Sequence, residues 1–275
     1  MEAPLAEERD PTFQHLRALF KAAKTGDAAQ ARRLFEEKAF SAYLEVRNLR
    51  QLTPLHVASR KGSAEVVMEL LRAGANKDAA SSASGETALH FASQSGCYEV
   101  VRLLLAAGAN KDAVDHRGNT PLLAAVEFSS RMISFALGQP PSDGVHHDRV
   151  VSALLEAGAD VEARDRDGQT VLHRAAQHFP PEAQLLLAAG ADKNARDEHG
   201  STPLHTAVLA SSLEAVSALL EAGADVSAVD MRKNTPLYQA IYAGADVRRP
   251  ISQQVIQALL AHGAQLEARN VYPKP

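Results

Sequence analysis

The sequence predicts an all-α repeat solenoid built from helix–turn–helix units, and three observations carry that prediction. The stretch LLLAAGANKDA (Leu103–Ala113) returns eighty-two residues later as LLLAAGADKNA (Leu185–Ala195), changed only where Asp and Asn interchange. Two independent anchors then share one period. The Gly-Ala pairs that follow leucine runs, at Gly74, Gly108, Gly158, Gly190, Gly223 and Gly263, are spaced by 34, 50, 32, 33 and 40 residues. The threonines Thr53, Thr87, Thr120, Thr170, Thr202 and Thr235 are spaced by 34, 33, 50, 32 and 33. A fixed period of this length, broken by local insertions, is the signature of stacked repeats. The third observation is composition: aromatic residues make up 5% of the chain and Trp is missing. Thin layers of Ala and Leu need few large rings, whereas a big globular core uses many.

Each element of the unit has a local cause. Thr before Pro, at Thr53, Thr120, Thr202 and Thr235, starts a short helix. The hydroxyl can cap free backbone N–H groups, and Pro suits the first helical position because it lacks one. About seven helical residues follow, as in LHVASRK, and Gly62 or Gly96 ends the helix. A second helix carries the leucines, as in AEVVMELLRAG and YEVVRLLLAAG, and stops at the Gly of Gly-Ala. The loops that follow (NKDAVDHRGN, DVEARDRDGQ, DKNARDEHGS) are rich in Asp, Asn and Gly, which is turn chemistry. One helix pair leaves apolar faces uncovered, so stability has to come from the interfaces between repeats.

Composition excludes several classes. A formal net charge of -4 and a pI near 6.3 argue against a general nucleic-acid binder. No apolar run approaches the roughly 20 residues needed to cross a bilayer, so no membrane insertion is expected. The opening MEAPLAEERDPTF is acidic and lacks an apolar core, so it is not read as a secretory signal. The single cysteine, Cys97, forms no internal disulfide and points to a reducing compartment. The expectation is a cytoplasmic protein, with the nucleus as the alternative, and a monomer.

The residues TPLHVA (Thr53–Ala58), TALHFA (Thr87–Ala92) and TPLHTA (Thr202–Ala207), with their LLxxGA partners, resemble the ankyrin-repeat family. The likeness spans about Phe13 to Asn270. It implies paired antiparallel helices with short β-hairpin fingers projecting sideways, and a concave face of fingers and first helices that binds proteins. On this reading residues 1–11 are a flexible tail and 12–275 form a single array. Its units are about 12–50, 51–84, 85–117, 118–167 with an insertion at 129–147, 168–199, 200–232, and 233–275 with an insertion at 244–250. The first unit is degenerate: LFKAAKTGDAAQARRLFEEKA (19–39) lacks Thr-Pro and carries Lys24, Arg32, Arg33, Glu36 and Glu37, with Lys38-Ala39 in place of Gly-Ala. A polar terminal repeat suits a solenoid cap.

Departures from the pattern are specific. His56, His90, His173 and His205 hold the motif histidine, whereas Leu123 and Tyr238 replace it in the two repeats that carry insertions. Lys233 stands where other units have Gly, so that finger is expected to be distorted. Pro180-Pro181 sits at an inter-helix turn that has lost a residue and should be stiff. The insertion stretch EFSSRMISFAL (Glu127–Leu137) is apolar enough to cover the stack or to form a second docking patch, packing being the favoured use.

No catalytic, cofactor or metal constellation emerges. The four regularly spaced histidines occupy one position in successive units and read as structural, tying units together by hydrogen bonds as the family resemblance implies. ARDRDGQTVLHR (Ala163–Arg174) fails as a calcium loop, since Ala163 and Arg174 fall where acidic ligands are needed. His146-His147-Asp148 with Asp143 is the single metal candidate, and a loop or helix start explains it better. The leading expectation is therefore a non-catalytic protein-interaction module, an adaptor or scaffold. The alternatives are a regulatory inhibitor that masks an enzyme or transcription factor and, from another class, an enzyme or metal protein using the 129–147 insertion.

Structural roles fall to Thr53, His56, Thr87, His90, Thr120, Thr170, His173, Thr202, His205 and Thr235. By resemblance, the partner-binding candidates are Arg60, Lys61, His116, Arg117, Asn119, Phe128, Arg166, Asp167, Arg174, His178, Glu198, His199, Met231, Arg232 and Tyr242, with Gln94, Glu127, Gln177 and Gln239 beside them. Cations outnumber anions in this set, which points to a protein partner with an acidic or mixed-charge segment.

Overall fold

A computed structural model describes residues 11–36, 43–126, 146–243 and 253–265. The array expected over 12–275 divides into two units, Met1–Ala125 with Ser129–Ala159 and Val126–Phe128 with Asp160–Pro275. The first holds α1 (Pro11–Thr25), α2 (Ala28–Glu36), α3 (Pro54–Lys61), α4 (Ala64–Arg72), α5 (Ala88–Gln94), α6 (Tyr98–Ala106), α7 (Pro121–Ala125) and α8 (His147–Glu156). The second holds α9 (Val171–His178), α10 (Pro180–Ala188), α11 (Pro203–Leu209), α12 (Leu213–Glu221), α13 (Pro236–Ala243) and α14 (Gln253–Ala261).

Both units are two-layered solenoids. In the first, α1, α3, α5 and α7 pack in sequence as one layer and α2, α4, α6 and α8 as the other. In the second, α9, α11 and α13 form one layer and α10, α12 and α14 the other. The core is a file of leucines, one or two per repeat: Leu55, Leu70, Leu89, Leu104, Leu122 and Leu154, then Leu172, Leu186, Leu204 and Leu219, all completely enclosed or nearly so. Each such burial is worth about 1.5–3 kcal/mol. The alanines between them, among them Ala58, Ala92 and Ala207, are also fully buried and let helices approach closely.

The Gly-Ala stop works as the sequence suggests. At Gly74 the chain turns left-handed (φ 92), Gly74 N–H donates to the Leu71 carbonyl and Ala75 N–H to that of Leu70. Two bonds of this kind satisfy carbonyls that a helix end would strand. The Asn/Asp interchange in the duplicated segment follows from what comes next. Asn110 Oδ1 accepts the Asp112 amide at 3.1 Å and Asp192 Oδ1 accepts the Asn194 amide at 2.9 Å. Either side chain supplies the one oxygen required. The same loops brace their neighbours, since Asp78 Oδ1 accepts Asn110 N–H and Glu162 Oε1 accepts Asp192 N–H, both at 2.7 Å.

Several expectations change. Helix α1 starts at Pro11, earlier than the helix expected from Leu19 and inside the stretch read as a tail. Lys38-Ala39, the 244–250 insertion, Phe128 and all of the 129–147 insertion except His146 and His147 lie outside the described residues. The fingers are closed turns, with one isolated antiparallel bridge, Arg164 to Thr170, among the described residues. They are too short for a ladder: two backbone bonds close each, as from Asp197 N–H to the Ser201 carbonyl and from Gly200 N–H to the Asp197 carbonyl, and at Asp115, Asp165, Asp197 and Asp230 the Asp side chain accepts two further amides. The Lys233 finger is not distorted. Lys233 adopts the glycine conformation (φ 62), and Asp230 N–H still donates to the Asn234 carbonyl at 3.0 Å. At Pro180 the inter-helix turn shrinks to Phe179 alone, which ends α9, precedes α10 and is buried, accounting for the missing residue.

Candidate protein-binding surface

The motif histidines are structural. Thr53 N–H donates to His56 Nδ1 at 3.0 Å, which leaves the ring proton on Nε2, and Nε2 donates to the Ala79 carbonyl in the loop after α4 at 2.8 Å. His90 reaches the Asn119 carbonyl, His173 that of Ser201 and His205 that of Asn234, at 3.0, 3.0 and 3.1 Å. Burial lowers the affinity of all four rings for a second proton; for His56 the pKa is pushed down to about 4. Where Leu123 and Tyr238 replace the histidine, Thr120 and Thr235 still cap the following helix through the Leu123 and Tyr238 amides. Both replacements fall in the last described repeat of their unit.

Cys97 is held in its protonated form, burial pushing the thiol up to about 11. Its sulfur lies against Gly62, where an added Cβ would come within 2.9 Å of it. His146 precedes α8 and is exposed, while His147 is buried and donates through Nδ1 to the Ala125 carbonyl at 3.0 Å. Asp148 follows on the first turn of that helix, and Asp143 lies outside the described residues.

In the second unit the fingers are bonded to one another through their backbones. Glu198 N–H donates to the Asp167 carbonyl (3.1 Å), and Met231 N–H to the His199 carbonyl (2.9 Å). A Cβ on Gly168 or Gly200 would press against the next finger's backbone nitrogen at 3.0 or 3.1 Å, at a left-handed φ of 70 or 73, so both positions favour Gly. Two arginines lock the set. Arg164 Nη1 donates to the carbonyls of Gly168 and Arg196 at 2.9 and 2.7 Å, and Arg196 Nη1 to those of Gly200 and Val229 at 3.0 and 2.6 Å. The tips Arg166, Asp167, Glu198, His199, Met231 and Arg232 are all exposed, Met231 to 72%. His178 on α9 and Tyr242 on α13 are also exposed.

Arg174 is a different case. Its guanidinium grips Asp165 through Nε and Nη2 at 2.9 and 2.5 Å, and that carboxylate, 2% exposed, also accepts the Asp167 and Gln169 amides. Arg174 therefore ties helix to finger. The same offset recurs as Gln239 to Asp230 at 3.3 Å. Burial alone would raise the Asp230 carboxyl, but bonds from Asn234 and Arg232 outweigh it and hold the group below the usual range.

In the first unit, Arg60 is half-buried and Lys61 exposed at the end of α3, and Gln94 ends α5. His116 and Arg117 are exposed at a finger tip, where the His116 amide donates to the Ser84 carbonyl at 2.9 Å. Arg117 lies 3.5 Å from Asp115 and 3.7 Å from Glu86. Asn119 corrects the sequence reading: it is 5% exposed, with its amide on Asp115 and its carbonyl taken by His90. It builds the finger and offers nothing to a partner. The residues missed by pattern are Arg164 and Arg196, plus Leu209, which ends α11 44% exposed where Arg60, Gln94 and Gln177 stand in other repeats, and Ile241 on α13, 41% exposed.

The comparisons with known proteins agree with this geometry. The family model of ankyrin repeats matches residues 19–115, 74–148, 142–230 and 182–270, so the chain belongs to the ankyrin-repeat family. Among solved structures, the ankyrin-repeat domain of Bcl-3, a member of the IkappaB family, is 30% identical with a TM-score of 0.69, over 88% of this chain and 97% of that one. The human ASB11 ankyrin-repeat domain is 23% identical with a TM-score of 0.70, over 90% and 98%, a likeness of fold. No curated protein matches the chain in sequence. Ankyrin-repeat domains are protein-interaction modules, and no described helix is long and apolar enough to cross a membrane.

Proposed function

We propose that the chain is a non-catalytic protein-interaction module, an adaptor or scaffold that captures a protein partner on its finger tips and on the exposed ends of its first helices. One observation carries the reading. The finger backbones of the second unit are fixed by bonds to one another, while Arg166, Glu198, His199, Met231 and Arg232 stand exposed at their tips. A preformed face lowers the ordering cost of association. The mixture of cations and anions at the tips suits a partner segment of acidic or mixed charge. The protein works as a cytoplasmic or nuclear monomer without cofactor. The reading as an enzyme or metal protein using the insertion is weakened at His147, whose ring is spent on a buried backbone carbonyl.

The second reading is regulatory inhibition, in which the array masks an enzyme or transcription factor. It draws support from the likeness to an IkappaB-family ankyrin domain. Both readings are tested by affinity capture with the intact chain against an Arg166→Ala/His199→Ala/Arg232→Ala variant whose thermal melt is unchanged. Arg174 stays intact, because removing it strands the buried Asp165 carboxylate. The expected result is a specific protein retained by wild type and lost by the variant. Identical retention by both would place the site elsewhere, and assay of the captured protein's activity separates scaffold from inhibitor.

A further inference from the structure

A second surface lies in the first unit, and this inference rests on the interaction-module reading above. Helix α1, the finger at 47–51 and the end of α3 enclose a cleft of about 670 Å³. Six cations line it: Arg17, Lys24, Arg47, Arg50, Arg60 and Lys61, and no carboxylate does. Among the described residues none of the six is ion-paired, whereas Arg32, Arg72, Arg117 and Arg174 all have carboxylate partners. The chain as a whole carries a formal charge of -4, so this is a local concentration of positive charge. The rest of the lining is mainly apolar: Leu16, Phe20 and Val57, with Leu49 fully exposed at a finger tip.

The cleft is built in advance. Leu16, Phe20 and Lys24 fall at four-residue intervals on one face of α1, and Val57, Arg60 and Lys61 fall at i, i+3 and i+4 on α3. Between them the finger is fixed: Asn48 Oδ1 accepts the amides of Arg50 and Leu52 at 2.9 and 3.1 Å, and Arg47 Nη1 donates to the Gln51 carbonyl at 3.1 Å. The extra N-terminal turns of α1, ahead of Leu19, supply Leu16 and Arg17.

We propose that this cleft seats an acidic segment of a protein partner that carries one bulky apolar side chain. Guanidinium forks match carboxylates in charge and shape, and the apolar lining with Leu49 takes the anchor. A phosphodiester chain or an inositol phosphate would leave that lining unused. Single-stranded nucleic acid needs exposed rings to stack on, and Phe20, half-buried, is the one aromatic in the lining.

The test is fluorescence anisotropy of the intact chain with a labelled peptide of aspartates and glutamates around a single leucine. Arg50→Glu/Arg60→Glu should weaken binding roughly ten-fold or more. Leu49→Ser, or replacing the peptide's leucine by serine, should weaken it several-fold, and added salt should weaken it further. Each variant is checked for an unchanged thermal melt. No binding by wild type, equal binding by Arg50→Glu/Arg60→Glu, or preferential binding of phosphoinositide vesicles or single-stranded RNA overturns the assignment. A captured partner retained equally by wild type and Arg50→Glu/Arg60→Glu, yet lost with the Arg166, His199 and Arg232 changes, leaves the interaction-module reading standing and overturns this one.

Discussion

At His56 one ring nitrogen accepts from the threonine that starts the helix and the other donates to the Ala79 carbonyl in the loop that ends the repeat, so a neutral imidazole satisfies both. A second proton would have to sit on Nδ1, facing the Thr53 amide donor in a buried site. The folded pKa of about 4 lies below the unfolded value of 6.5. Unfolding therefore takes up protons between those limits: stability is complete above about pH 6.5 and is lost as pH falls toward 4. The shift corresponds to about 3 kcal/mol from His56 alone. Urea unfolding at pH 7 and pH 5 should show a large loss for wild type and a smaller one for His56→Leu, which copies what Leu123 does naturally. Equal losses would mean the ring is not the titrating group. The threonine–histidine pairs were legible in the sequence because their spacing repeats. Asn119 was misjudged because finger residues alternate between tip and closure within two positions, and pattern does not tell which way each faces.

Among the elements, the fingers depart furthest from what the sequence suggested. Period and turn residues located them, but not the bonds that make them a surface. Arg164 and Arg196 look like ordinary solvated charges until the structure shows each bridging two carbonyls of adjacent fingers. Exposed Val114 holds the matching position in the first unit, so the clamp is a property of the second. Arg196→Ala should cost about 1 kcal/mol and should speed hydrogen exchange at the Met231 amide, which bonds the finger before it. Unchanged exchange there would show the clamp to be incidental. The basic cleft was equally invisible: Arg60 and Lys61 were singled out, but Arg17, Arg47 and Arg50 come from separate elements that only the fold brings together.

For the molecule as a whole, the repeat register was readable because every repeat must present the same faces to its neighbours, and that requirement is written in Ala, Leu and Gly. Leu104 is completely enclosed, whereas Arg166 is exposed at a finger tip. Leu104→Ala should therefore lose roughly 2–5 kcal/mol to cavity formation, and Arg166→Ala should stay within about 0.5 kcal/mol. Chemical denaturation of the two variants checks this, and equal costs would mean the register is misassigned.

The direction of the histidine bonds has a further consequence. Each imidazole donates toward the C-terminus, to a carbonyl 23, 29, 28 or 29 residues ahead. On a ribosome, a repeat's own helices emerge before the acceptor that completes them. The repeats of His90, His173 and His205 are thus finished one repeat late during synthesis, and a chain cut at the end of any of them leaves that imidazole without the carbonyl that receives its proton.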